Sequence, residues 1–226
     1  MNTSLLTPEH VQSQPLGNPI QQQVGGMIDD LIASLPDPKL LTSEERRGII
    51  ARYTSVLEGN FIYWMTAALL SVQSEESRPI LLDNLHEEVR DAHPVMLRKF
   101  AIAAHAYPTD LDALVINDDL TNVRRFLGRL SGVRTVLTMA FFEGYIQRFM
   151  AYLADLAKAQ GSVEMEYTDV HGVCDIAHTE GLYRAVDVEM ALNPIESETD
   201  LFEGVYLLRT LLQNIVHYRA AGKLSA

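Results

Sequence analysis

The chain has 226 residues, 47% hydrophobic and 21% charged, which is the balance of a globular fold and not of a disordered chain. Its 18 Lys and Arg stand against 30 Asp and Glu, and the resulting charge of −12 repels phosphate backbones and anionic lipid, setting aside nucleic-acid and membrane-surface partners. The most apolar run, Phe61 to Leu70, is about ten residues against the roughly 20 that a spanning helix needs, and the lone Cys174 cannot close an internal disulfide.

In chain order, Met1 to Pro8 carries no basic, apolar leader. With the single cysteine, this gives the expectation of a cytoplasmic protein. Pro8, Pro15 and Pro19 among glutamines mark residues 1–18 as an irregular arm. Helices are predicted from there on: over 19–35, then from the capping-box pattern Thr42-Ser43-Glu44-Glu45 to about Ser74, then over 78–106, 109–131, 134–160, 167–192 and 197–221. Pro36-Asp37-Pro38, Tyr107-Pro108-Thr109, Gln160-Gly161-Ser162 and Asn193-Pro194 punctuate them. Period-two alternation never persists, so no sheet is expected. The expectation is an all-α fold, one helical domain over 19–226 with about seven helices.

Polar residues on the apolar stripes of these helices are informative, because burying a lone charge costs several kcal/mol or more unless it is paired, neutralised or bound to metal. Glu58 heads the stripe Ile62, Met65, Leu69, Val72, although a solvated position near the helix start is the plainer reading. In Asp83-Asn84-Leu85-His86-Glu87-Glu88-Val89-Arg90-Asp91-Ala92-His93, His93 continues into Met96, Leu97 and Phe100 and so faces inward. Glu87 and Glu88 lie well round an unbroken helix from His93; either joins it only if the helix is kinked or unwound between them. Otherwise they form a solvated cluster with Arg90. Glu143 sits among Val136, Met139, Ala140, Ile146 and Met150, aimed into the core from mid-helix, where an ion pair with a core arginine is the alternative.

The strongest pattern is His171, Asp175 and His178, spaced by four and three on one helical face that continues through Leu182 and Ala185. Two imidazoles and a carboxylate from successive turns make half of a metal site, and oxygen-rich ligation with some imidazole suits iron or manganese better than zinc. Cys174 beside this face reads as a small apolar filler. Bundles build two-metal carboxylate centres with ligands from several helices, and four carboxylates balance two divalent cations without leaving a net charge.

In combination, Glu58, the Asn84-Leu85-His86-Glu87-Glu88…His93 segment, Glu143 and His171-xxx-Asp175-xx-His178 resemble the haem-oxygenase-like diiron oxidases and oxygenases over roughly residues 45–190. The resemblance implies a seven-helix fold that binds two Fe(II) ions in place of haem and uses O₂ as co-substrate. It implies that Glu58, Glu87 or Glu88, and His93 hold one iron, and that Glu143, His171, Asp175 and His178 complete the pair. The choice between Glu87 and Glu88 stays open, with Glu87 slightly preferred, because this chain lacks the longer Gly-containing stretch that usually precedes the histidine. The implied reactions are N-oxygenation, oxidative decarboxylation and C–C cleavage of small amino-acid-like or fatty-acid substrates. Among short members the chain is most similar to a cyanobacterial group that includes a nitrile-forming enzyme acting on a halogenated tryptophan. Relatives of the fold are often homodimers.

Tyr63, Trp64, Phe141, Phe142 and Tyr145 lie near the expected site and are candidates for the lining of an indole pocket, with ordinary core packing as the alternative. No Ser–His–Asp or Cys–His grouping points to a protein nucleophile. Three other readings compete: a metal-free thiaminase-type hydrolase on the same fold, a true haem oxygenase, and a non-enzymatic helical interaction protein whose inward acids and histidines are salt bridges.

Overall fold

In the computed structural model of the protein, which describes residues 19–195 and 197–218 apart from the side chains of residues 173–176, the Thr42 capping box forms as its spacing predicts. Thr42 Oγ1 accepts from the Glu45 amide at 3.2 Å, and Glu45 Oε2 accepts from the Thr42 amide at 2.8 Å. Two orphan donors at the helix start are thereby satisfied. The described residues form α-helices and no strand: α1 (Pro19–Ala33), α2 (Ser43–Ser71), α3 (Ser77–Arg90), α4 (His93–Ala103), α5 (Asp110–Leu114), α6 (Asn117–Leu127), α7 (Val133–Ala159), α8 (Glu166–Leu192), α9 (Glu198–Leu201) and α10 (Glu203–His217). They make a helical bundle, and no helix among the described residues is long and apolar enough to cross a membrane. The expected arm over 1–18 lies outside the described residues.

The long helices fall where hydrophobic periodicity places them, but three predicted spans are each two helices. The span 78–106 breaks at Asp91 and Ala92, 109–131 breaks at Val115 and Ile116, and 197–221 contains α9 and α10. The first break matters most. Pro94 has no N–H to give the carbonyl of Arg90, and its ring would meet that carbonyl in a continuous helix. The chain turns instead through Ala92, at φ 55° and ψ 40°, and Pro94 enters the first turn of α4, where a missing N–H leaves no bond unmade. The Ala92 carbonyl then accepts from Val95 and Met96 at 2.8 and 3.2 Å to start α4.

Helix α7 is the centre of the bundle. It is apolar on nearly every face, with Phe141, Phe142 and Phe149 fully enclosed, as befits a helix with neighbours all round. It packs along α8 and against α2, α1 and α10, while α3 and α4 both pack against α2 and α8. Each fully buried large apolar side chain contributes about 1.5–3 kcal/mol, so this helix carries much of the fold's stability. At Gly204 in α10, a Cβ would lie 2.2 Å from atoms of Phe126 and Thr138, so only glycine lets α10 approach α6 and α7 so closely.

One buried acid fixes the frame around the site. Glu189 near the end of α8 accepts from the amides of Gln73 (3.0 Å) and Ser74 (2.9 Å), tying α8 to the turn that leads from α2 into α3. It is almost wholly buried, and hydrogen bonds to a charged acceptor are the strong ones.

Candidate metal centre

The break between α3 and α4 brings Glu88 and His93 together. On a continuous helix, positions five apart point about 140° away from each other. With Ala92 in the left-handed region, His93 Nδ1 lies 2.7 Å from Glu88 Oε2, both side chains being buried. The unwinding on which any carboxylate partner for His93 depends is present, and Glu88 is the acid it brings to His93. Glu87 reaches the other way, to His178 Nε2 at 2.8 Å, and is more than one-third exposed.

His171 arrives from α8 on the opposite side. Its ring centroid lies 4.4 Å from that of His93, and one donor atom each from Glu88, His93 and His171 lie within 4.8 Å of one another. His171 Nδ1 lies 2.8 Å from the carbonyl of Tyr167, one turn earlier in the same helix. The N–H that donates there fixes the tautomer and leaves the Nε2 lone pair for a cation, the arrangement usual for a metal-binding histidine. Burial pushes the His171 imidazole down to about 4, and neighbouring His93 acts in the same direction, so the ring is neutral at physiological pH, as a ligand must be.

These groups enclose a cavity of about 20 Å³, bounded also by Asn84 of α3, Glu143 of α7 and His178 of α8, with Phe61 and Leu97 among its apolar walls. A buried water needs about 10–15 Å³ on this measure, so the space suits an ion and a small ligand. Glu143 is 2% exposed and faces the cavity, as its stripe predicts. His171 and His178 line it together from positions two turns apart, as their spacing predicts. The side chains of Asp175 and Cys174 lie outside the described residues.

Glu58 stands apart. It takes a hydrogen bond from Arg98 Nε at 2.6 Å and is partly solvated, while its neighbours Leu57 and Phe61 present α2 to the cavity. The arginine comes from α4, 40 residues on, so no spacing within α2 could announce it. The proposed aromatic lining is also displaced. Tyr63 is 46% exposed, Trp64 packs edge-on against Phe142 at 5.3 Å, Tyr145 stacks on Phe149 at 5.0 Å, and Phe141 is enclosed in the core. None of the five lines the cavity; its aromatic walls are Phe61 and Tyr167. Because α7 has neighbours all round, its aromatic side chains are consumed by packing. Asn84, part of the Asn84…His93 segment but given no role, and Tyr167, not singled out, each stand four residues before a donor, Glu88 and His171 respectively, on the same helical face. Tyr167 in turn shares a hydroxyl–hydroxyl bond of 2.9 Å with the buried Tyr53.

The donor chemistry fits first-row divalent ions. Glu88, His93 and His171 form a two-histidine, one-carboxylate group, the set typical of non-haem Fe(II), and Glu143 and His178 line the same cavity. Comparison with protein-family models gives no match, and comparison with curated protein sequences gives none either.

Proposed function

We propose that this chain is a non-haem iron oxidase or oxygenase of the haem-oxygenase-like diiron kind, acting with O₂ on a small amino-acid-like substrate. The observation that supports it is the convergence of Glu88, His93 and His171 within 4.8 Å in a buried cavity that Glu143 and His178 also line. Glu88, His93 and His171 would hold one iron, and Glu143 and His178, with Asp175 from the same face of α8, the second. Ferrous iron held there would supply the electrons for O₂ reduction.

The protein's own part is positioning. Tyr167 holds the His171 ring through its carbonyl, and the α3–α4 corner holds His93 against Glu88. Leu57, Phe61, Leu97 and Ile146 give the donors apolar walls. Substrate pockets run to about 300–1,000 Å³, far more than the cavity here, so an amino acid reaches the centre only if walls such as Phe61 and Leu97 move. That requirement bears on the narrower proposal, conversion of a tryptophan, plain or halogenated, to an indole nitrile. Oxidative decarboxylation or C–C cleavage of a smaller amino acid needs less movement.

A single-iron centre is the second reading, favoured by the engagement of Glu58 with Arg98 and the tight grouping of three donors among the described residues. Anaerobic Fe(II) loading followed by metal analysis separates the readings: two irons per chain for the diiron centre, one for the alternative. No bound metal after loading sinks both and leaves a helical protein with buried hydrogen-bonded acids. O₂ exposure with a panel of amino acids, tryptophan derivatives first, and mass spectrometry of the products then identifies the reaction.

A further inference from the structure

One buried atom at the cavity has no role in the account above. Asn84 is 5% exposed, lies one turn before Glu88 on α3, and lines the cavity. Its Nδ2 donates to the Ile80 carbonyl at 2.8 Å, and this fixes the amide's orientation, since the reversed amide would set two oxygens against each other. Oδ1 is therefore the remaining end, and it is buried without a hydrogen-bond partner. Native proteins leave few buried acceptors in that condition. Trp64 Nε1, Ser77 Oγ, Tyr152 Oη and Arg209 Nε are also buried without partners, but none belongs to a residue lining this cavity.

The cavity's own groups are poorly suited to serve Oδ1. The carboxyl groups of Glu88 and Glu143 offer chiefly acceptor oxygens. His171 spends its N–H on Tyr167, and His93 Nδ1 is engaged with Glu88. Among the described residues no side chain donates to Oδ1, and a water bound to a metal cation is a strong donor, because the cation acidifies its protons.

We infer that Asn84 Oδ1 accepts a hydrogen bond from a water bound to the metal held by Glu88, His93 and His171, which makes Asn84 a positioning residue for the centre's solvent ligand. The inference rests on the metal reading of the site. Groups that hydrogen-bond to a metal's own ligands typically contribute 10–100-fold to its affinity. Asn84→Leu keeps the size and removes the acceptor, while the Ile80 carbonyl retains its bond from the residue-84 amide within α3. Asn84→Asp keeps an acceptor and adds a negative charge beside Glu88.

The test titrates the full chain and both variants with Co(II), reading affinity by competition with a chelator and melting temperature with and without the ion. Asn84→Leu is expected to melt no lower than the wild type without metal, having lost an unsatisfied buried oxygen, yet to bind Co(II) 10–100-fold more weakly. Asn84→Asp is expected to melt lower without metal and to bind at least as tightly as the wild type. A merely structural asparagine would lower melting temperature in both variants and leave affinity unmoved. If the wild type binds and Asn84→Leu binds equally well, the inference is overturned, and an ordinary buried water is the partner of Oδ1. Should Asn84→Leu lose its helical circular dichroism, Asn84→Asp decides: affinity more than tenfold below the wild type overturns the inference. A wild type that binds none of Co(II), Fe(II) or Mn(II) overturns the metal reading itself, a different result from either.

Discussion

The donor groups come chiefly from two stretches built in opposite ways. Along α8, His171 and His178 reach one cavity because the helix is unbroken and its turns stack like chemistry on like. At the α3–α4 corner, Glu88 and His93 meet because the helix is broken, five residues apart and bonded at 2.7 Å. A continuous helix brings together residues three and four apart; a left-handed residue brings together those it would otherwise point apart. The first arrangement is robust to changes in neighbouring residues, whereas the second depends on two positions, Ala92 and Pro94.

Removing a donor from either stretch gives the largest effect. His171→Ala and Glu88→Ala are each expected to weaken Fe(II) or Co(II) binding by more than about 100-fold while leaving the helical circular dichroism in place. If one of them binds as the wild type does, that stretch is not part of the centre.

Glu189→Ala tests the brace that both stretches share. It strands the Gln73 and Ser74 amides at the α2–α3 turn, and unfolding in urea should show a loss of about 2–3 kcal/mol. Pro94→Ala then acts on the corner alone. By permitting the helix to run on, it should turn His93 away from Glu88 and cost about tenfold in metal affinity. A double-mutant cycle with Glu88→Ala should show the two changes to be strongly non-additive, while Pro94→Ala with His178→Ala should be closer to additive. The smallest effect is expected from Ala92→Gly, which relieves the left-handed conformation and should raise stability by about 0.5 kcal/mol without altering metal affinity.

A site remote from both stretches supplies the pH baseline. Burial works to raise the Asp112 carboxyl, but the hydrogen bonds from Arg47 and Thr109 outweigh it and hold its pKa below the ordinary aspartate value. A carboxyl depressed in the folded chain stabilises it above the unfolded-state value of about 3.9, and that contribution is lost as pH falls through the lower folded-state value. Asp112→Ala should therefore be less stable than the wild type at pH 7 by about 1–2 kcal/mol, with the gap closing below about pH 4. A gap that persists unchanged at pH 2 assigns the loss to packing and not to charge.

The same contrast explains what could be read from the sequence. Periodicity encodes neighbours within one helix, so the all-helical bundle, the Thr42 cap, the inward aim of Glu143 and the shared face of His171 and His178 were all legible. Breaks and partners from distant elements are not periodic. The predicted span 78–106 runs straight through Pro94, and the effect of that proline on Glu88 and His93 depends on the conformation taken at Ala92. Arg98 claims Glu58 from another helix, and the crowding around α7 absorbs Phe141, Phe142 and Tyr145 into the core. Asn84 and Tyr167 could have been found by extending each donor's stripe one turn back.

The His178–Glu87 contact already joins positions 91 residues apart in sequence, and an ion shared by Glu88, His93 and His171 would make a second, stronger tie between the same two segments. A metal there would behave as a reversible cross-link that closes a long loop of chain. Closing a long loop costs the unfolded chain entropy that grows only slowly with length, so most of the benefit of a tie is reached in any loop this long. Holding the ion would thus be part of how the chain keeps its shape, and protein purified with a chelator should unfold in a broader, lower transition than protein refolded with iron.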